Sequence, residues 1–360
     1  MGKGDRKTRK GKRFIDSPRK NTSLGFAKSD RKKMEYKQEV EYATKNNIVK
    51  LSDIFNFEET PYERLYDDLF KFCRENLDIH FEKNSISQSL FLFSNNFNIN
   101  AKAGVKNEHN VILINIGLMQ HCIEKYLLNV RLNDYIEGKW PEVTNELDSS
   151  VSHLAFQVAT QFTYYHELAH LFQLSKIKTD KGLQERGSNN DFDIIKHKLE
   201  INADTYSAIS IATHIHQYIT KSFEELNQNI VENTITIFGA CLLEYIISFT
   251  NSFELYYDEK SHPHPIIRML NLVMNITNHL SQIPLYSEKE ITLDPIKLFR
   301  QSIDLHGELE SENIFISGFS NFINNKNIDI KKITSYFGQI RNLGSNSEYV
   351  DAMDIWNSRA

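Results

Sequence analysis

A chain of 360 residues with a net charge of −5, 40% apolar and 25% charged residues, is long enough for one large domain or two, and apolar enough to bury a core. No run reaches the roughly eighteen uninterrupted apolar residues of a membrane span; the nearest, Thr234 to Phe249, contains Glu244 and predicts a buried helix. Cys73, Cys122 and Cys241 are odd in number and far apart, which argues against a disulfide frame or a thiolate metal site and fits a reducing, cytoplasmic setting. The N-terminus is charged and has no apolar stretch of the secretory kind.

Charge is unevenly spread. Residues 1–33 hold thirteen Lys/Arg against three Asp/Glu, a local +10, so the remainder nets −15. Such a Lys-, Arg-, Gly- and Ser-rich arm cannot bury enough surface to offset its ordering entropy, and it predicts disorder. It suits contact with nucleic acid or another anionic surface, and equally a solubilising tail.

Beyond the arm, Lys37 to Lys45 is weakly helical. Pro61 opens a stronger helix with Leu65, Leu69, Phe70 and Cys73 on one face. Leu90–Phe93, Phe97–Ala103 and Val111–Ile114 predict three short strands, with a turn at Lys106–Asn110; Leu118 to Leu128 predicts a helix. Val151 to Leu174 is the clearest helix, with Val151, Ala155, Val158, Phe162 and Ala169 in one stripe. A polar loop follows from Ser175 to Asn190. A second long helix is predicted from about Asp191 to His216, then two apolar helices and a Pro-rich turn, Ser261 to Pro265. The predicted division is an arm at 1–33, a catalytic domain at 34–284 and a helical region at 285–360 that bears no chemical motif.

The long helix contains Tyr165-His166-Glu167-Leu168-Ala169-His170. Residues four apart stand one above the other on a helix, so His166 and His170 can direct two imidazoles at one ion. Glu167 is turned about 100° from His166, beside such an ion, where it can take a proton from water. Two His need a third protein ligand, with a fourth position left for water. Leu199-Glu200-Ile201-Asn202-Ala203-Asp204 supplies Glu200 on the next helix, 30 residues after His170. Asp204, one turn on, can accept the second N–H of a ligand His. His197 is an alternative third ligand. His214 and His216, two apart, cannot face one site.

HExxH followed by ExxAD resembles the gluzincin metallopeptidases, and within them the HtpX and CAAX-prenyl-protease group. Asn98-Ile99-Asn100-Ala101 with Val111 to Leu118 is similar to that group's edge-strand region. Ser261-His262-Pro263 with Arg268 is similar to its Ser-His-Pro…Arg turn, although His264 replaces a Pro and Met269 an Ile. The resemblance covers residues 90 to 272 and implies an α+β, mainly helical zincin-like fold with a small mixed sheet. It implies one zinc ion on His166, His170 and Glu200, Glu167 as general base, and His262 and Arg268 stabilising the oxyanion; Tyr206 is a weaker donor candidate. Asn98, Asn100 and Ala101 would lie on the edge strand that pairs with a peptide substrate. The membrane helices of that group are lacking. A cytoplasmic gluzincin of this size also resembles the phage-exclusion peptidase Lit, which implies a defence role and an activating partner. The competing expectation is a nucleic-acid- or ribosome-binding protein that uses a peptidase-like scaffold.

Overall fold

The computed structural model describes residues 35–84, 89–174, 194–249, 256–257, 260, 262–319 and 330–342. The basic arm and the loop from Ser175 to Asn190 lie outside them. The described chain runs α1 (Tyr36–Lys45), a 3₁₀ turn (Leu51–Asp53), α2 (Glu63–Asn84), β1 (Ser89–Ser94), β2 (Ala101–Lys106), β3 (His109–Asn115), α3 (Ile116–Cys122) and a π-helical turn (Ile123–Leu127). It continues with α4 (Val130–Lys139), α5 (Pro141–Thr144), α6 (Val151–Leu174), α7 (Ile194–Ser222), α8 (Gln228–Ile247), α9 (Pro265–Ser281), α10 (Pro284–Glu288), α11 (Pro295–Ser311) and α12 (Ile330–Asn342). The class is α+β, mainly helical with a small mixed sheet, as expected.

The sheet order is β1-β3-β2, with β1 parallel and β2 antiparallel to β3. Asn107 and Glu108 both have positive φ (49° and 63°), the backbone of a two-residue hairpin turn that matches strand twist. The predicted strand Phe97–Ala103 therefore shifts along the chain to Ala101–Lys106, because residues 96–100 form a turn instead. That turn is pinned: Gly117 N donates to Asn96 O (3.0 Å), Asn115 N to Asn100 O (3.1 Å) and Asn115 Nδ2 to Asn98 O (3.3 Å). Gly117 is required there, since a Cβ would sit 2.0 Å from Phe97 O.

The two sheet edges differ. Along β1, Phe91 N donates to Glu39 Oε1 (2.6 Å), Phe93 N to Tyr36 Oη (3.1 Å), Phe55 N to Phe93 O (2.9 Å) and Asn95 N to Asp53 O (2.8 Å). This edge is closed by α1 and the 51–56 segment, which meets the need of an edge strand for partners. No described strand pairs with the outer edge of β2. The two-residue turn makes Lys106–His109 a hydrogen-bonded pair, so alternation along the register directs the N–H and C=O of Ala103 and Val105 outward.

Helix α6 has the predicted boundaries but not the predicted single buried stripe. Only His153, His170 and Leu174 escape full burial, because α7, α8, α4 and the sheet surround it. Its buried Thr160 and Thr163 return their hydroxyls to Phe156 O and Ala159 O (both 2.9 Å), and Thr163 also meets the Tyr245 hydroxyl on α8. The predicted buried helix around Thr234–Phe249 is α8, long and apolar enough to cross a membrane, yet 89% of its most apolar window is buried inside the fold. Residues beyond 285 continue the same core: α11 packs on α8 and α9, and α12 on α7. Pro295 follows the N-cap Asp294, whose Oδ1 accepts from Ile296 N (2.8 Å) and Lys297 N (3.1 Å).

Candidate metal centre

Helices α6 and α7 pack along each other and bring His166, His170 and Glu200 together. His166 Nε2 and His170 Nε2 are 3.1 Å apart. Glu200 Oε2 lies 3.3 Å from His166 Nε2, and Oε1 lies 3.5 Å from His170 Nε2. Two ring nitrogens and the two oxygens of one carboxylate thus face one another closely enough to share a single ion.

The rings are held from behind. His170 Nδ1 donates to Gln173 Oε1 (2.8 Å), and Gln173 Nε2 donates to Leu199 O (2.9 Å), which ties α6 to α7 one residue before Glu200. His166 Nδ1 sits 3.1 Å from Asp204 Oδ1, in a bent contact rather than a straight hydrogen bond. An Nδ1–H meets that carboxylate favourably, which leaves Nε2 as the nitrogen each ring turns toward the other and toward Glu200. Asp204 is fully buried and is clamped by Arg268, whose Nε (2.8 Å) and Nη2 (2.7 Å) donate to its two oxygens.

The charges follow from this packing. Burial opposes charge on His166, but hydrogen bonds to Asp204 and Glu200 outweigh it and hold the ring up to about 10. Burial would also raise Glu200, yet the His166 hydrogen bond and the His170 and His166 charges keep it well below the usual carboxylate range. Asp204 is held down in the same way by Arg268. Such a site takes up positive charge, whether as a proton or as a cation.

Glu167 is nearly buried, next to His166 on α6. Its charge adds to the burial and the Cys122 contribution that keep the Tyr245 hydroxyl protonated. His262 stands at the rim, with Nε2 3.8 Å from Glu200 Oε1 and a side chain 62% exposed.

Several sequence expectations change here. Arg268, expected at a developing oxyanion, has its guanidinium engaged with Asp204 and is buried. Asn98 and Asn100, expected on the edge strand, precede it, and their carbonyls are engaged by Asn115; Ala101 begins the strand, with its N–H on Asn100 Oδ1 (2.9 Å). His197, the alternative ligand, faces away, toward Lys260 O (2.6 Å) and the Tyr336 hydroxyl. Tyr206 is a core residue bonded to His80 Nε2 (3.1 Å). His264, at a position where the resemblance has Pro, caps α9 by accepting from Ile266 N (3.1 Å). Gln173 was missed; its place three residues after His170, on the same helix face, was the available signal.

A second group, Glu244, His306 and Glu310, also has donor atoms close enough for a cation. There Lys125 Nζ lies 2.5 Å from Glu244 Oε1, and His306 Nε2 donates to Glu244 Oε2 (2.7 Å). Glu310 Oε1 accepts from Phe319 N (2.9 Å). The Lys125 ammonium already supplies the positive charge, so this group is a buried ion network joining α8, α11 and the π-helical turn.

No protein-family model, curated protein or solved structure matches this chain.

Proposed function

We propose that the chain is a gluzincin-like, zinc-dependent peptidase. The observation that carries this reading is the close approach of the His166, His170 and Glu200 donor atoms. Zinc bonds of about 2.0–2.2 Å in tetrahedral geometry separate ligand atoms by about 3.3–3.5 Å. Here the two ring nitrogens are 3.1 Å apart, one Glu200 oxygen lies 3.3 Å from His166 Nε2 and the other lies 3.5 Å from His170 Nε2. Two imidazoles and a carboxylate are the donor set of catalytic rather than structural zinc, and each ring is steadied through its other nitrogen. A zinc ion held by His166, His170 and Glu200 would polarise a peptide carbonyl and acidify the attacking water.

The protein's own groups divide the remaining work. Glu167 takes the proton from the attacking water and delivers it to the leaving amine. His262, at the rim, donates to the carbonyl oxygen as charge develops on it. Ala103 and Val105 offer outward backbone groups on β2, which suit an extended peptide added as a fourth strand. Asp204 and Arg268 keep His166 oriented and touch no substrate.

Cleavage products of a cell lysate, read by mass spectrometry with wild type against Glu167→Gln, test the reading. The variant keeps one zinc per chain and loses cleavage by about a hundredfold or more. Full cleavage by Glu167→Gln would remove the assigned role. A defence function and a nucleic-acid contact through residues 1–33 remain expectations from the sequence, since the arm lies outside the described residues.

A further inference from the structure

We infer that the C-terminal helix α12 is a positioning element of the metal centre, in which Tyr336, acting through His197, fixes the chain at Lys260 and so sets His262 beside Glu200. The inference rests on the peptidase reading only for its kinetic consequence.

His197 sits three residues before Glu200 on α7, and its ring is fully buried. Its Nε2 lies 2.6 Å from the Lys260 carbonyl oxygen. A carbonyl only accepts, so Nε2 carries the proton. Nδ1 is engaged by the Tyr336 hydroxyl. Both nitrogens are thereby engaged, and neither is available to a metal.

Helix α12 grips the same stretch of chain a second time. Tyr336 and Tyr257 meet edge to face, with ring centroids 5.6 Å apart. Lys332, one turn before Tyr336, places its ammonium 4.4 Å from the centre of the Tyr257 ring. Tyr256 packs on His264 (4.9 Å), and Lys260 Nζ lies 4.8 Å above Tyr256. His264 in turn opens α9, whose Arg268 clamps Asp204. Tyr257 and Lys260 are thus tied toward α12, and Tyr256 toward the start of α9. His262 lies on the same stretch of chain. Its ring lies 3.8 Å from Glu200, two residues along the chain from the Lys260 carbonyl that His197 holds.

The chemistry gives α12 a task the sequence did not assign. An exposed imidazole on an untethered turn samples many positions. A transition-state donor must be placed to within fractions of an ångström, and a misplacement of about 1 Å can cost a hundredfold in rate. The His197–Lys260 bond joins this turn to the helix that bears Glu200, so ligand and donor move as one body.

The test uses the full chain with Tyr336→Phe, which keeps the ring packing on Tyr257 and removes only the hydroxyl. Amide hydrogen exchange of the peptide containing His262 is expected to quicken about tenfold, with the α6 peptide unchanged. Zinc affinity stays within about twofold of wild type, because the three donors are untouched. On a cleaved substrate, kcat falls about five- to tenfold with little change in KM. In a His262→Ala background, Tyr336→Phe has no further effect on kcat, because the two act through one group. Lys332→Met, which leaves His197 and Tyr336 intact, gives a smaller change in the same direction and carries the test if Tyr336→Phe is poorly folded.

Unaltered exchange around His262 overturns the inference, as do kcat losses that multiply in the double variant. If the wild type cleaves nothing, exchange still decides: a quickened His262 peptide keeps the positioning role while the peptidase reading falls.

Discussion

Replacing Glu39 by Gln removes an ionisation while keeping the acceptor that Phe91 N–H needs at the closed edge of the sheet. Glu39 is fully buried; its Oε1 accepts from Phe91 and lies 3.5 Å from Arg74 Nη1, while Oε2 has no hydrogen-bond partner. Burial outweighs the Arg74 charge and the Phe91 bond, and it lifts the carboxyl from the ordinary 4.5 to about 7. A carboxyl raised on folding stabilises the native state fully below its unfolded pKa, and that contribution is lost as pH rises through the folded value. The displacement corresponds to roughly 3 kcal/mol, most of it lost between about pH 5 and pH 8.5. Glu39→Gln cannot lose it. Measured by urea unfolding with far-UV circular dichroism, the variant should gain about 2–3 kcal/mol on wild type between those two pH values. All other titrating groups are shared, so the difference isolates Glu39. A stability difference that stays constant to within about 1 kcal/mol would show that Arg74 keeps the carboxylate ionised throughout, and the reasoning fails.

Further outcomes follow from the centre and the sheet. Arg268→Met strands the buried Asp204 charge and should lower stability by about 3–5 kcal/mol, measured by chemical denaturation of the metal-free chain. A loss no larger than that of a surface ion pair would count against the clamp. His166→Ala should lose stoichiometric zinc in metal analysis of the purified protein, while far-UV circular dichroism stays helical. Gly117→Ala drives a methyl against the Phe97 carbonyl, and thermal melts should show a loss of about 1–3 kcal/mol.

What the sequence reveals here is mostly local. His166, His170 and Glu167 fall on one helix whose ends at Val151 and Leu174 are readable from spacing and flanking residues. Glu200 is readable because a loop and a return helix leave few places for a third ligand. Pairings across the chain are not written that way. Arg268 and Asp204 were each singled out, but their bond spans 64 residues, and nothing local to Arg268 distinguishes a buried clamp from a group facing substrate. Tyr336 and Lys260 were invisible for the same reason. The misplaced strand has a different cause. Phe97 and Ile99 alternate with Asn as a strand would, yet both side chains are exposed on a turn fixed by Gly117 and Asn115. The burial of α6 on every side was hidden because Ser152, Gln157, Thr160 and Thr163 look solvent-facing until their neighbours are known.

The helix that presents the two imidazoles is also buried on nearly every side, and this limits how the protein can change. Substituting around His166 disturbs the packing of several elements at once, so drift in α6 is filtered by foldability before chemistry is ever tested. The rim is freer: the outer edge of β2 and the turn bearing Phe97 border solvent and can be rewritten with little strain. Under the proposed peptidase function, new preferences for peptide sequence should therefore arise by remodelling the approach to the centre, while the centre itself stays frozen.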